Sequence, residues 1–228
     1  MTMTFPTVFF AVLFVLDILL VTSSRLLHCI RLVAIQGAVI GLLPLILFNW
    51  GSDAMPGIGL LVTVVLNVSL KAVVIPILLG RTMRSANVRR ELEPLVGYSM
   101  SLLIVVVIAG GSMILCRRLP LPGTDISVLA APAALTTLLT GLFLIMSRRK
   151  ALTQALGFLI FENGITAFGA GMMLEYGLLV ELGILLDVFV LVFIMGIAVF
   201  RISREFQHID SDRLNKLGDW SEDQGGAE

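Results

Sequence analysis

Seven stretches of about 20 apolar residues follow one another along this chain, near 5–23, 27–48, 57–80, 94–115, 126–146, 151–173 and 178–201. Each is long enough to cross the roughly 30 Å hydrocarbon core of a bilayer as a helix. Short polar turns part them: "SSR", "NWGSDAMPG", "RTMRSANVRRELEP", "RRLPLPGTD", "SRRK" and "LEYG". Hydrophobic residues make up 57% of the 228 and charged residues only 14%, too little polar surface to cover a water-soluble globule. The expected fold is therefore an all-α integral membrane protein of about seven transmembrane helices. The first apolar stretch begins almost at Met1, without a basic leader or a small-residue cleavage site, so no cleavable signal peptide is expected.

The positive charges set the expected orientation. With the N-terminus outside, Arg25, the basic cluster of 81–90, residues 148–150 and the tail all face the cytoplasm, and these segments carry twelve basic residues. The outer loops carry only Arg117 and Arg118, so the bias predicts a cytoplasmic C-terminus. The chain divides into a three-helix region (1–93), a connecting helix with an outer loop (94–125), a second three-helix region (126–201) and a polar cytoplasmic tail (202–228). The tail ends in "SEDQGGAE", a composition that favours disorder.

Several ionisable residues interrupt the apolar stretches. Glu162 lies 12 residues past Lys150, Asp187 14 residues before Arg201 and Lys71 10 residues before Arg81. At the helical rise these offsets place them roughly 18, 21 and 15 Å deep, near the bilayer midplane, on three different helices. A charge at that depth costs at least about 2.5–3.5 kcal/mol. One alone reads equally well as an interhelical lock. Three at matched depth, two acidic and one basic, point to a polar path along which protonation of one member alters the next.

Weaker candidates are Asp17, which water could reach from the cytoplasmic end, Asn163 beside Glu162, and Glu181 near the outer loop. Asn67, four residues before Lys71, is a further hydrogen-bonding group, and Gln36 reads as interhelical glue. Arg31 is expected to snorkel to the interface, and His28 and His208 to be solvated. Pro44 and Pro76 are expected to disturb their helices, and Gly37, Gly41 and Gly164 to allow close helix approach. Cys29 and Cys116 are isolated, with no spacing for a metal site or a disulfide framework, and read as packing residues.

A weak internal repeat relates "SSRLLHCIRLVAIQGAVIG", from Ser23, to "SRRKALTQALGFLIFENGITAFG", from Ser147. Each starts a helix from a basic turn and places a polar residue before a central glycine. Spans one to three would then correspond to spans five to seven in the same direction, a parallel repeat with a polar seam.

The segment from Arg148 to about Asp212 carries a more specific likeness. "SRRKALTQALGFLIFENG", "ELGILLDVFVLVFIMGIAVFR" and "HIDSDRLNKL" together resemble the small three-helix K-type subunit of respiratory complex I. With the helices in front, and with "FENG", "VELGILLD" and "LKAVVIPIL", the chain resembles the hydrogenase-4 component E family, membrane subunits of formate-hydrogenlyase-type group 4 nickel-iron hydrogenases. The first central Glu of the K-type pattern would fall at Leu159, one turn from Glu162 on the same face, and Asp187 approximately matches the second.

The resemblance implies a non-catalytic membrane-arm subunit with Glu162, Asp187 and Lys71 on a proton path. It also implies a prokaryotic cytoplasmic membrane as the location. No cofactor is expected on this chain, since neither cysteine lies in a cluster motif and no glycine-rich nucleotide loop is present. Nickel-iron and iron–sulfur centres would belong to a partner hydrogenase module, beside antiporter-like and quinone-site-like membrane subunits. No nucleic-acid partner is expected. Two other classes stand beside this one: a small subunit of a multi-subunit cation/proton antiporter, and a structural anchor for a redox module.

Overall fold

The computed structural model describes residues 4–48, 57–85, 96–119, 128–148, 151–171 and 196. Every regular element among them is a helix: α1 (Thr4–Thr22), α2 (Leu26–Gly41), α3 (Leu43–Ile46), α4 (Ile58–Val68), a π-helical turn (Ser69–Val74), α5 (Ile75–Ser85), α6 (Tyr98–Arg118), α7 (Ala130–Ser147) and α8 (Ala151–Gly171). Four continuous helices are long and apolar enough to cross a membrane, namely Leu26–Ile46, Ile58–Met83, Tyr98–Arg118 and Ala130–Ser147. The apolar part of α1, Pro6–Thr22, is shorter. At 21 residues α8 has spanning length, but it carries Gln154, Glu162 and Asn163. Of the stretch expected at 178–201, only Gly196 is described, and it is helical.

Proline shapes two of these helices. The helix begun by α2 breaks at Leu42, and Pro44 opens the short α3, where its missing N–H is no loss. In the third span Pro76 cannot donate to the carbonyl of Ala72, and the turn just before it widens. There the Ile75 N–H bonds to the Leu70 carbonyl, five residues back rather than four.

At the centre, α1, α2, α7 and α8 pack together. α6 lies along α1 and α7, and the α4–α5 helix lies along α2. α7 and α8 approach most closely, through glycine. A Cβ on Gly141 would stand 2.2 Å from the Phe161 nitrogen, and one on Gly164 would stand 2.3 Å from the Leu138 nitrogen. Both distances are impossible for real atoms, so the two backbones are in direct contact.

The apolar interior falls into two main clusters. One gathers Leu16, Leu20, Ile30, Val33, Leu79, Leu144 and Leu156 from the end of α1, the start of α2 and α8, α5 and the end of α7. The other gathers Phe10, Leu13, Ile40, Ala133, Ala134 and Ala167 from the opposite halves of α1, α2, α7 and α8. Along each of those four helices, one cluster stops and the other starts at a polar residue.

Candidate functional site

Those polar residues form a single connected layer. Asp17 of α1 is fully buried. Its Oδ1 accepts from Gln36 Nε2 of α2 at 2.9 Å, and its Oδ2 accepts from Thr137 Oγ1 of α7 at 2.7 Å. Gln36 Oε1 in turn accepts from Asn163 Nδ2 of α8 at 3.4 Å. Lys71 Nζ, from the π-helical turn, donates to Asn163 Oδ1 and to Thr166 Oγ1, each at 3.4 Å. Lys71 also forms a buried ion pair with Glu162 Oε1. The chain of contacts therefore runs from α1 and α7, through α2 and α8, to the third span.

Position along each helix explains why these side chains meet. Asp17 lies between Leu13 and Leu20, Gln36 between Val33 and Ile40, Thr137 between Ala134 and Leu144, and Glu162–Asn163 between Ile160 and Ala167. The layer thus lies across the bundle, with apolar side chains above and below it. Lys71 reaches it because Gly37 leaves room: a Cβ there would stand 2.8 Å from the Lys71 Cβ. The wide turn that holds Lys71 is the one that Pro76 opens, and wide turns of this kind recur at functional positions.

Burial makes the layer consequential. Lys71, Glu162, Asn163, Gln36, Asp17 and Thr137 all count among the buried polar residues. Unpaired charges in such surroundings are strongly unfavourable, so the Lys71–Glu162 pair holds only while both partners are present. One acceptor remains open, since Glu162 Oε2 has no hydrogen-bond partner. The amides between the pair and Asp17 connect the two carboxylates by hydrogen bonds.

Two of the three midplane charges expected from the sequence, Lys71 and Glu162, are in contact, and Asn163 joins them. Asp187 and Glu181 lie outside the described residues. Two expectations are corrected. Asp17 is fully buried instead of being open to water, with Leu20 and Val21 buried on the C-terminal side of it along α1. Gln36 joins α1 to α8, the interhelical glue expected of it, and is the central link of the layer. Asn67 turns back to its own helix, donating to the Thr63 carbonyl at 3.0 Å, and takes no part. His28 and Arg31 are exposed. Gln36 and Asn163, the polar residues before glycine in the two halves of the internal repeat, are bonded to each other.

Sequence reasoning missed Thr137 and Thr166. Thr137 stands in "LTTLLTG" beside Thr136, which bonds only to the Pro132 carbonyl of its own helix. Threonine is readily accommodated in an apolar helix by such a bond, so its presence did not signal the cross-helix partner. Helix phase alone separates the two.

Fold and site together define, among the described residues, a helical bundle with four helices long and apolar enough to cross a membrane and a charged, hydrogen-bonded layer buried across it. No protein-family profile matches the chain, and no solved structure does. It is 33% identical over 205 residues to a Mycobacterium tuberculosis protein described as uncharacterized protein Rv0085, an alignment that covers 89% of this chain and 91% of that one. The chain belongs to the same family as that protein.

Proposed function

We propose that this chain is a multi-pass protein of a prokaryotic cytoplasmic membrane, with seven spans, an outer N-terminus and a cytoplasmic tail. In this reading it serves as a non-catalytic membrane-arm subunit of a group 4 nickel-iron hydrogenase complex. Lys71, Glu162 and Asp187 then belong to a proton-translocation path driven by electron transfer in partner subunits. The observation that carries the reading is the layer itself: an ion pair linked by amides to a second buried carboxylate, with apolar clusters on both sides. A mere clasp needs one such contact. A connected series across the bundle suits transmission of charge parallel to the membrane plane. The sequence likenesses in "FENG", "VELGILLD" and "LKAVVIPIL" supply the hydrogenase context.

The chemistry follows from the pair. Transfer of a proton from Lys71 to Glu162 leaves two neutral groups. Passing that proton on to a further carboxylate of the path, in this reading Asp187, leaves Glu162 as a carboxylate that draws a new proton onto Lys71. Each change alters the field at Asp17 through Asn163 and Gln36.

The test has two stages. A tagged chain, gently solubilised, is expected to bring down nickel-iron and iron–sulfur subunits with antiporter-like membrane subunits. In that complex Glu162→Gln should leave assembly intact and abolish proton translocation. Recovery of antiporter subunits alone moves the chain to the ion-exchange class, and undiminished translocation by the variant removes Glu162 from the path.

A further inference from the structure

The charges of the buried layer do not balance. Asp17, Glu162 and Lys71 bring two acids and one base to it, all of them buried. Lys71 is taken up by Glu162. No second cation is at hand for Asp17, which packs among α2, α6 and α7. α7 carries no titratable residue, and α6 carries them only at its ends, as Tyr98, Cys116, Arg117 and Arg118. On α2, His28, Cys29 and Arg31 all lie more than a turn before Gln36. Residues 172–200 add Glu175, Glu181 and Asp187 but no Lys or Arg. An uncompensated carboxylate between two apolar clusters is strongly unfavourable, and a group so placed neutralises instead.

Which acid is neutral follows from the partners of each oxygen. A carboxylic acid needs an acceptor for its O–H. Glu162 gives Oε1 to the ammonium, and its Oε2 has no partner, so a proton there would have no acceptor. On Asp17, Oδ1 faces Gln36 Nε2, which can only donate. Oδ2 differs. It faces Thr137 Oγ1 at 2.7 Å, an ordinary O–H···O separation, and a hydroxyl can give or take the hydrogen. When it takes one, its own hydrogen is free to turn to a carbonyl of its helix, as the Thr136 hydroxyl turns to that of Pro132.

We propose that Asp17 is a proton-binding site of the layer, holding one exchangeable proton on Oδ2 against the Thr137 hydroxyl. The proton comes from water and forms one O–H bond. Its release leaves a carboxylate that accepts the Thr137 hydrogen in its place. With the proton the three groups sum to zero, and without it to one negative charge, so Asp17 is where the layer gains or loses charge. The site rests on the geometry of the layer and not on the hydrogenase reading, and its test needs no partner subunit.

Infrared spectroscopy of the full chain in lipid nanodiscs at neutral pH reads this directly, because a protonated carboxyl has a C=O band of its own. Aspartate or glutamate carrying carbon-13 in the side-chain carboxyl is incorporated in turn. The band is expected to be present in the parent, to shift with labelled aspartate and to stay with labelled glutamate. Asp17→Asn, which keeps the shape and can still meet Gln36 and Thr137, should remove it. Thr137→Val should move it, since the O–H then lacks its acceptor, and Thr137→Ser should restore its position. Should Asp17→Asn not fold, labelled Asp187→Asn decides: the band stays if it is that of Asp17. The remaining aspartates lie in the polar turns and tail of the sequence, where a carboxyl is ionised at neutral pH. The proposal fails if the parent has no such band, if the band follows the glutamate label alone, or if it survives Asp17→Asn. It fails equally if Asp187→Asn abolishes the band or Thr137→Val leaves it unmoved.

Discussion

The α7–α8 pair and the two flanking helices are built on opposite principles. In α7, 61% of the apolar window is buried, against 22% in α6 and 22% in the α4–α5 helix. α7 and α8 meet backbone to backbone at Gly141, Gly157 and Gly164. α6 turns Leu103, Val106, Val107, Ile114 and Leu115 outward, and α4 does the same with Ile58, Val62 and Val65. Gly110 and Gly111 on α6 have no atoms within 4 Å of where a Cβ would stand. Lipid is as apolar as leucine, so an outward leucine face costs nothing in a bilayer, and association there depends on close fit and polar contacts. The bundle has both where α7 and α8 meet the polar layer, and neither on the outer face of α6. The difference teaches that the layer and the glycine contacts together mark the most closely packed part of the described bundle.

That contrast can be tested in descending order of effect. Lys71→Met leaves Glu162 as an uncompensated buried charge and should cost about 3–5 kcal/mol. The double variant Lys71→Met/Glu162→Leu should recover most of it. Equal destabilisation by the single and double variants, measured by thermal unfolding in detergent, would mean that the pair does not hold the bundle. Gly141→Ala forces α7 off α8 and should cost about 1–3 kcal/mol or more, with loss of the Lys71–Glu162 contact as a readable consequence. An unchanged melting point would show that the two backbones are not in contact in the membrane.

Thr137→Val keeps the shape but removes one of the two donors to Asp17. A cost of about 1–3 kcal/mol is expected, as for a buried acceptor left short of a partner. Thr136→Val, one residue away, loses only a bond within its own helix and should cost less. The smallest effect belongs to the loosely packed side. Gly80→Ala meets no atom within 4 Å and should stabilise by up to about 1 kcal/mol through helix propensity. A clear loss instead would reveal a neighbour packed against α5.

Much of this was legible in the sequence, for particular reasons. The apolar stretches gave the helices to within a few residues, as with α8 at Ala151–Gly171 against an expected 151–173, because lipid tolerates few other backbone structures. Lys71 and Glu162 stood out because a charge in an apolar run needs a partner. Pro44 and Pro76 marked the break at Leu42 and the wide turn at Ser69–Val74 because a missing N–H acts locally.

What the sequence could not supply was which neutral polar residues face one another. Gln36, Asn67, Thr136 and Thr137 look alike in a list of polar interruptions, yet two of them join the layer and two bond only to their own helices. Arg148 read as one more surface cation in a basic turn, and only the fold turned it inward. Composition and hydrophobic length are properties of each segment alone and fix what each segment becomes. Which side chains meet depends on the rotation and depth of one helix against the next. Contacts between backbones set those, at Gly37 against Lys71 and at Gly141 against Phe161, and such contacts exist only once the bundle has assembled.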